Sequence, residues 1–221
     1  MTKAEYIERV KVKLDEFSPF EEPMSFIAAG DDDYSKVKPI VAYIESELPN
    51  AVRYCLSVLP QSLLSKDIAK TETTFSLNGR IGVVDPADVE LSSQRLIRVQ
   101  VPTYWKRDAT AFIKSEDAEY LLQQNEHTRG GVSKPVVVYV PELDVLELYS
   151  FPNKLEGEGN DKTEWNVNIW SIDVEKGVDE IKSAIEDFVV IKCAQLVASI
   201  LGNANASTAL DNEFAKKVAA L

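Results

Sequence analysis

The chain reads as an α+β protein in which helices at both ends form a helical bundle and a small antiparallel β domain is inserted between them. Three features predict this. Apolar residues recur at helical spacing from Tyr6 to Leu59 and again from Ile181 to Leu221. Between Thr71 and Ile172 they come in short runs rich in β-branched and aromatic residues. The step Asn78-Gly79, set between Thr-Phe-Ser-Leu and Arg-Ile-Gly-Val-Val, is the signature of a β-hairpin with a type I′ turn. The domain reading is 1–70 for the N-terminal helices, 71–175 for the β insertion and 176–221 for the helices that complete the bundle.

Taken in order, Thr2 and Glu5 have capping-box spacing, so a helix starts there, and Tyr6, Val10, Leu14 and Phe17 give it one apolar stripe. Ser18 to Ser35, with two prolines and Asp31-Asp32-Asp33, reads as a solvated loop. A second helical pattern runs from Ser35 through Ile40, Val41, Ile44 and Leu48, is broken at Pro49, and resumes with Ala51, Tyr54, Cys55, Val58 and Leu59. That gives two short helices or one kinked helix. Beyond the hairpin, strands are expected at Leu96–Val101, Ala109–Ile113, Val136–Val140, Val145–Tyr149 and Val167–Ile172. Ser115 to Leu122 reads as a capped short helix on the sheet edge, and Asn153 to Thr163 as an exposed excursion. The last part is a buried helix within Val178–Leu201, with Ile181, Ile185, Phe188, Val189, Leu196 and Ile200 inward. A break at Gly202-Asn203 separates it from a final helix carrying Leu210, Phe214, Val218 and Leu221.

Composition narrows the function classes. The 221 residues are 45% hydrophobic and 27% charged, enough apolar area to offset chain entropy and form a core. With 36 acidic and 24 basic side chains the net charge is −12, concentrated in 1–35 and 150–187, so a phosphate backbone is repelled overall. Cys55 and Cys193 lie in helical apolar patterns, as free thiols packed like small hydrophobes in a reducing compartment; a disulfide is the alternative. The N-terminal residues lack the apolar core of a signal peptide. The most apolar stretch, Phe188 to Leu201, contains Lys192 and Gln195 and falls short of the ~20 residues of a membrane span.

No catalytic constellation emerges, and no cofactor or metal is expected. The single histidine, His127, sits in a polar, turn-like stretch. Two distant cysteines and one histidine lack zinc-ligand spacing, and Asp31-Asp32-Asp33 lacks the alternation of a calcium loop. Arg129-Gly130-Gly131 is a glycine turn without the Lys-Ser/Thr of a phosphate loop, and Asp85 with Asp88 is the kind of pair an acidic chain carries by chance. Trp105-Lys106-Arg107, with Arg95 and Arg98 upstream, is a basic cluster beside an aromatic. It serves a subunit contact, a nucleic-acid contact or plain solvation.

The order of these features resembles the head-to-tail adaptor (connector) family of tailed bacteriophages, the neck ring proteins of crAss-like phages among them. The resemblance covers about 80–150: Val84-Asp85-Pro86-Ala87-Asp88-Val89-Glu90-Leu91, Trp105-Lys106-Arg107, Tyr120 through Gly131, Lys134-Pro135-Val136-Val137 and Leu146-Glu147-Leu148-Tyr149. At the ends, the Ile-Glu-Ser-Glu-Leu-Pro-Asn-Ala step and the Lys-Cys-Ala-Gln-Leu-Val-Ala-Ser-Ile-Leu helix are similar as well. The acidic excursion at 153–163 departs from the compact loop of that family.

The resemblance implies a non-enzymatic virion subunit at the head–tail junction, assembled in the bacterial host cytoplasm as a dodecameric ring. Its partners are further copies of itself, the portal and other neck and tail proteins, with genome DNA passing through the lumen without sequence-specific binding. Trp105, Lys106 and Arg107, and the face of Leu210, Phe214, Val218 and Leu221, are the candidate portal or subunit contacts; the second face packs on its own core in the other reading. A cytoplasmic non-catalytic interaction module and a hydrolase using His127 and carboxylates are the alternatives.

Overall fold

A computed structural model describes residues 1–17, 39–84, 91–125, 127–151 and 164–221. The triple aspartate, Asp85 with Asp88, the start of the second helix at Ser35 and the excursion at 153–163 lie outside these residues. The chain divides into two units, Met1–Asp67 with Val174–Leu221, and Ile68–Asp173.

The first unit is helical. Helix α1 (Lys3–Phe17) opens on the expected capping box: Thr2 N donates to Glu5 Oε2 (2.7 Å) and Glu5 N to Thr2 Oγ1 (3.4 Å), and these bonds hold the Glu5 carboxyl below its ordinary range. Helix α2 (Ile40–Val58) is continuous through Pro49, whose missing N–H falls on the exposed side. Helix α4 (Glu186–Ile200) is the centre of this unit, with α1, α2 and the last helix, α5 (Ala204–Ala219), packed on it. Nine of its residues are therefore buried, and it has no single apolar stripe.

That arrangement corrects the inward set. Val190, Ile191, Cys193, Ala194 and Val197 are core, whereas Ile200 is half exposed and 178–180 forms a separate 3-10 turn. A Schellman motif ends α4: Gly202 N donates to Ser199 O and Asn203 N to Ala198 O, with Gly202 at φ +73°. Asn203 then caps α5, its Oδ1 accepting from Ala206 N (3.0 Å).

The second unit is a seven-stranded sheet: β1 (Ala69–Asn78), β2 (Ile81–Val84), β3 (Gln94–Gln100), β4 (Phe112–Lys114), β5 (Val137–Val140), β6 (Val145–Leu148) and β7 (Glu164–Asp173). The strand order is β3-β7-β1-β2-β6-β5-β4. All pairs are antiparallel except β4–β5, which is parallel. A parallel pair needs a crossover, and 115–136, with the short helix α3 (Tyr120–Gln124), supplies it. Beyond the sheet's edges, Val99 of β3 exchanges both backbone hydrogen bonds with Ala109 (2.9 and 2.8 Å), just ahead of β4, so the sheet is nearly closed into a barrel. The β3–β7 register shifts between Leu96 and Arg98, as at a β-bulge.

The expected fold class is therefore wrong. The chain is not a helical bundle with a small antiparallel insertion, because its middle is a mixed, nearly closed seven-stranded sheet with its own core, alongside five helices among the described residues. The hairpin is present at the expected place with a different turn. Asn78 pairs with Ile81, so the loop residues are Gly79 and Arg80, and only Gly79 has positive φ (+65°), the pattern of a type II′ turn.

Candidate functional site

In the β unit, Trp105 is not a surface aromatic. Val101 O accepts from both Tyr104 N and Trp105 N, a turn that carries the indole inward, where it is 6% exposed. It stacks on Phe151 (6.0 Å, 28°), Phe151 on Phe75 (5.1 Å, 22°) and Phe75 on Trp165 (5.9 Å, 29°), a row of four near-parallel rings in the barrel interior. Gly82 makes room for this row: a Cβ there would lie 2.6 Å from Phe75 and 2.9 Å from Phe151. Trp105 and Trp165 Nε1 are buried with no hydrogen-bond partner.

Lys106 and Arg107 are exposed, on a backbone pinned where Lys106 N donates to Val132 O (2.9 Å). Arg98 does not join them around Trp105. Its guanidinium lies 3.7 Å over the ring of Trp170 and pairs with Asp108 (3.3 Å) on the outer face of the sheet, where Arg98 and Trp170 are cross-strand partners. Arg95 is half-buried, and that burial lowers its pKa.

In the helical unit, the face of α5 is divided. Leu210 and Phe214 are buried, Phe214 meeting Tyr54 (5.7 Å, 63°) and Phe188 (5.7 Å, 81°) edge-on. Val218 is half-buried, and Leu221 is 62% exposed. Freeing this helix for a partner would uncover two buried aromatic rings, Phe214 and Phe188, each worth roughly 150–250 Å² of buried area, and strip Tyr54 of its ring contact. In this state only Val218 and Leu221 are offered outward. Some of the unit's charges sit in exposed pairs, such as Asp187 between Lys217 and Arg9 (both 2.6 Å), which hold its carboxyl below the ordinary range.

Cys55 and Cys193 are free and buried, and burial pushes both thiols up to about 12, so neither is a thiolate at neutral pH. His127 is exposed on the turn after α3, its N–H donating to Asn125 Oδ1 (2.9 Å). Among the described residues no group of three or more His, Cys, Asp or Glu is placed to hold a metal. Nor is any helix long and apolar enough to cross a membrane.

One feature of the β unit has no sequence motif. The hairpin tip, α3 and the turn after it enclose a cleft of about 360 Å³ lined by Asn78, Arg80, Tyr120, Gln123, Gln124 and Arg129 with Ile81 and Tyr149. No protein-family model matches this chain, and no curated protein matches it.

Proposed function

We propose that the chain is a non-catalytic virion subunit that forms a dodecameric ring adaptor between the portal and the tail of a tailed bacteriophage, a channel for genome passage and a platform for later tail proteins. The observation that supports this is the order of the motifs within 80–150; those among the described residues fall on one β unit, while Val84-Asp85-Pro86-Ala87-Asp88-Val89-Glu90-Leu91 lies mostly outside them. Trp105-Lys106-Arg107 forms the turn after β3, Tyr120 to Gly131 the crossover, Lys134 to Val137 the entry to β5, and Leu146 to Tyr149 the strand β6 with its exit. The net charge of −12 suits a lumen wall that must not hold DNA by counterion release.

In this role Lys106 and Arg107 on the β unit, and Val218 and Leu221 on the helical unit, are the contact residues, because they are the candidates that reach solvent. The two indole rings in the barrel interior and the α5 aromatic contacts keep the subunit folded before assembly. Imaging of the particle's neck, with quantitative mass spectrometry of copy number, tests the reading. A ring of this chain beneath the portal at a fixed stoichiometry is the expected result. Intact particles that lack the chain would overturn it.

A further inference from the structure

The cleft at the hairpin tip is chemically unlike the rest of this acidic chain. Two arginines, Arg80 and Arg129, line it together with the side-chain amides of Asn78, Gln123 and Gln124, and no carboxylate lines it among the described residues. Local structure sets each group. The type II′ turn at Gly79-Arg80 puts Arg80 at the tip beside Asn78.

Arg129 is held by its own loop. Its N–H donates to Asn125 O (3.0 Å), Thr128 Oγ1 donates to Leu122 O (2.6 Å), and the next residue, Gly130, lies so close that a Cβ would meet Lys134 O at 2.5 Å and Val136 Cγ2 at 2.7 Å. Gln123 is 6% exposed and accepts from Gly130 N through Oε1 (3.1 Å), so what its amide has left is mainly donor capacity. Tyr149, which also lines the cleft, is fully buried and spends its hydroxyl proton on Glu147 Oε2 (2.8 Å), a carboxylate that is not itself among the lining residues.

We propose that this cleft recognises carboxylate groups, and that in the assembled ring it takes an acidic segment of a neighbouring copy of this chain. The carboxylate chemistry stands on the cleft; the neighbouring copy as its source rests on the ring reading above. A guanidinium offers five N–H donors in a planar fork that matches the two oxygens of a carboxylate, so each arginine can keep a present contact and still bind a further oxygen. A nucleic-acid backbone is the poorer fit, because it calls for a run of cations along its length and the cleft has two. The chain itself carries the complement, with 36 acidic against 24 basic side chains. A head-to-tail ring contact joins two different patches of identical subunits, and a cationic cleft facing surplus carboxylates is such a pair.

The test titrates the full chain separately with hexaglutamate peptide and with inorganic phosphate, read by calorimetry and by NMR of arginine side-chain N–H groups. Saturable peptide binding is expected, tighter than phosphate, weakened by salt, and reduced roughly tenfold or more in Arg80→Gln/Arg129→Gln. If that variant does not fold, Asn78→Asp, which adds a carboxylate to the cleft wall, replaces it with the same loss expected.

Absence of saturable binding, undiminished binding in a folded variant, or tighter phosphate binding each overturns the carboxylate site. Excess hexaglutamate should also dissociate assembled rings, and rings indifferent to both peptide and variant overturn the neighbour as occupant. A neck without this chain overturns the ring reading and that occupant together, while the titration still decides what the cleft binds.

Discussion

The two units are stabilised in different ways. In the helical unit, three helices, α1, α2 and α5, each pack on α4, and several helix ends are closed by short-range devices such as the Thr2/Glu5 box and the Schellman turn at Gly202. In the β unit, the decisive contacts tie one connected sheet and its ring row together: Arg98 with Trp170, Val99 with Ala109 across the seam, Phe75 with Phe151. Damage to the helical unit should therefore be graded and additive, whereas damage to the β unit should spread through its sheet. All three tryptophans, Trp105, Trp165 and Trp170, lie in the β unit, so their fluorescence reports on it separately from the helical signal at 222 nm.

The largest effect is expected from Phe75→Ala, which removes the middle of the ring row. A loss of about 3–5 kcal/mol, seen first by tryptophan fluorescence in urea with the 222 nm transition moving less, would sharpen the contrast. Coincident shifts of equal size would break it.

Next, Asp67 makes one of the helical unit's buried long-range contacts. It is buried and accepts from Lys182 N (3.0 Å), Ser183 N (2.9 Å) and Lys176 Nζ (3.3 Å). Burial alone would raise its pKa, but the hydrogen bonds outweigh it and the folded value is lowered. Since the unfolded chain then takes up the proton first, this contribution is full above the unfolded pKa and lost as pH falls through the folded one. Asp67→Ala should cost about 2–3 kcal/mol at neutral pH, with the gap to wild type closing in acid. An equal gap at all pH values would exclude the linkage.

Gly82→Ala should cost about 1–3 kcal/mol, because its Cβ meets the Phe75 and Phe151 rings at 2.6 and 2.9 Å. Altered near-ultraviolet circular dichroism is the check. Asn203→Ala, which removes the α5 cap, should cost about 1 kcal/mol, read from the 222 nm melt. Smallest is Arg53→Ala, which breaks an exposed pair with Glu175 and should stay within about 0.5 kcal/mol in chemical denaturation.

Legibility followed the same division. The α1 capping box, the α4/α5 break and the existence of the hairpin were readable, since each depends on neighbours a few residues apart. The expectation of a capped helix at Ser115–Leu122 was met only in part and misled. The helix is there, at Tyr120–Gln124, without a side-chain cap, but its role as the crossover of a parallel pair was not visible, and that role turns an antiparallel insertion into a mixed, nearly closed sheet.

The candidate surfaces fared likewise. Whether Trp105 faces water or Phe151, and whether Phe214 faces a partner or Tyr54, depends on elements that periodicity does not order in space. The cleft at Arg80 and Arg129 was not legible as a site: the hairpin turn and Arg129-Gly130-Gly131 were each visible, but only the fold brings the hairpin, the helix and the loop together.

By itself the sequence determined which stretches form the main helices and strands, through the periods of 3.6 and 2, a few of their ends, through capping chemistry, and the excess of acid. Only the tertiary structure decided the sheet order, its near closure, and which apolar and cationic side chains remain outside. Strand pairing is set by contacts whose partners lie up to about a hundred residues apart, from Ala69 to Ser171, and no local pattern encodes which distant surface an apolar face will meet.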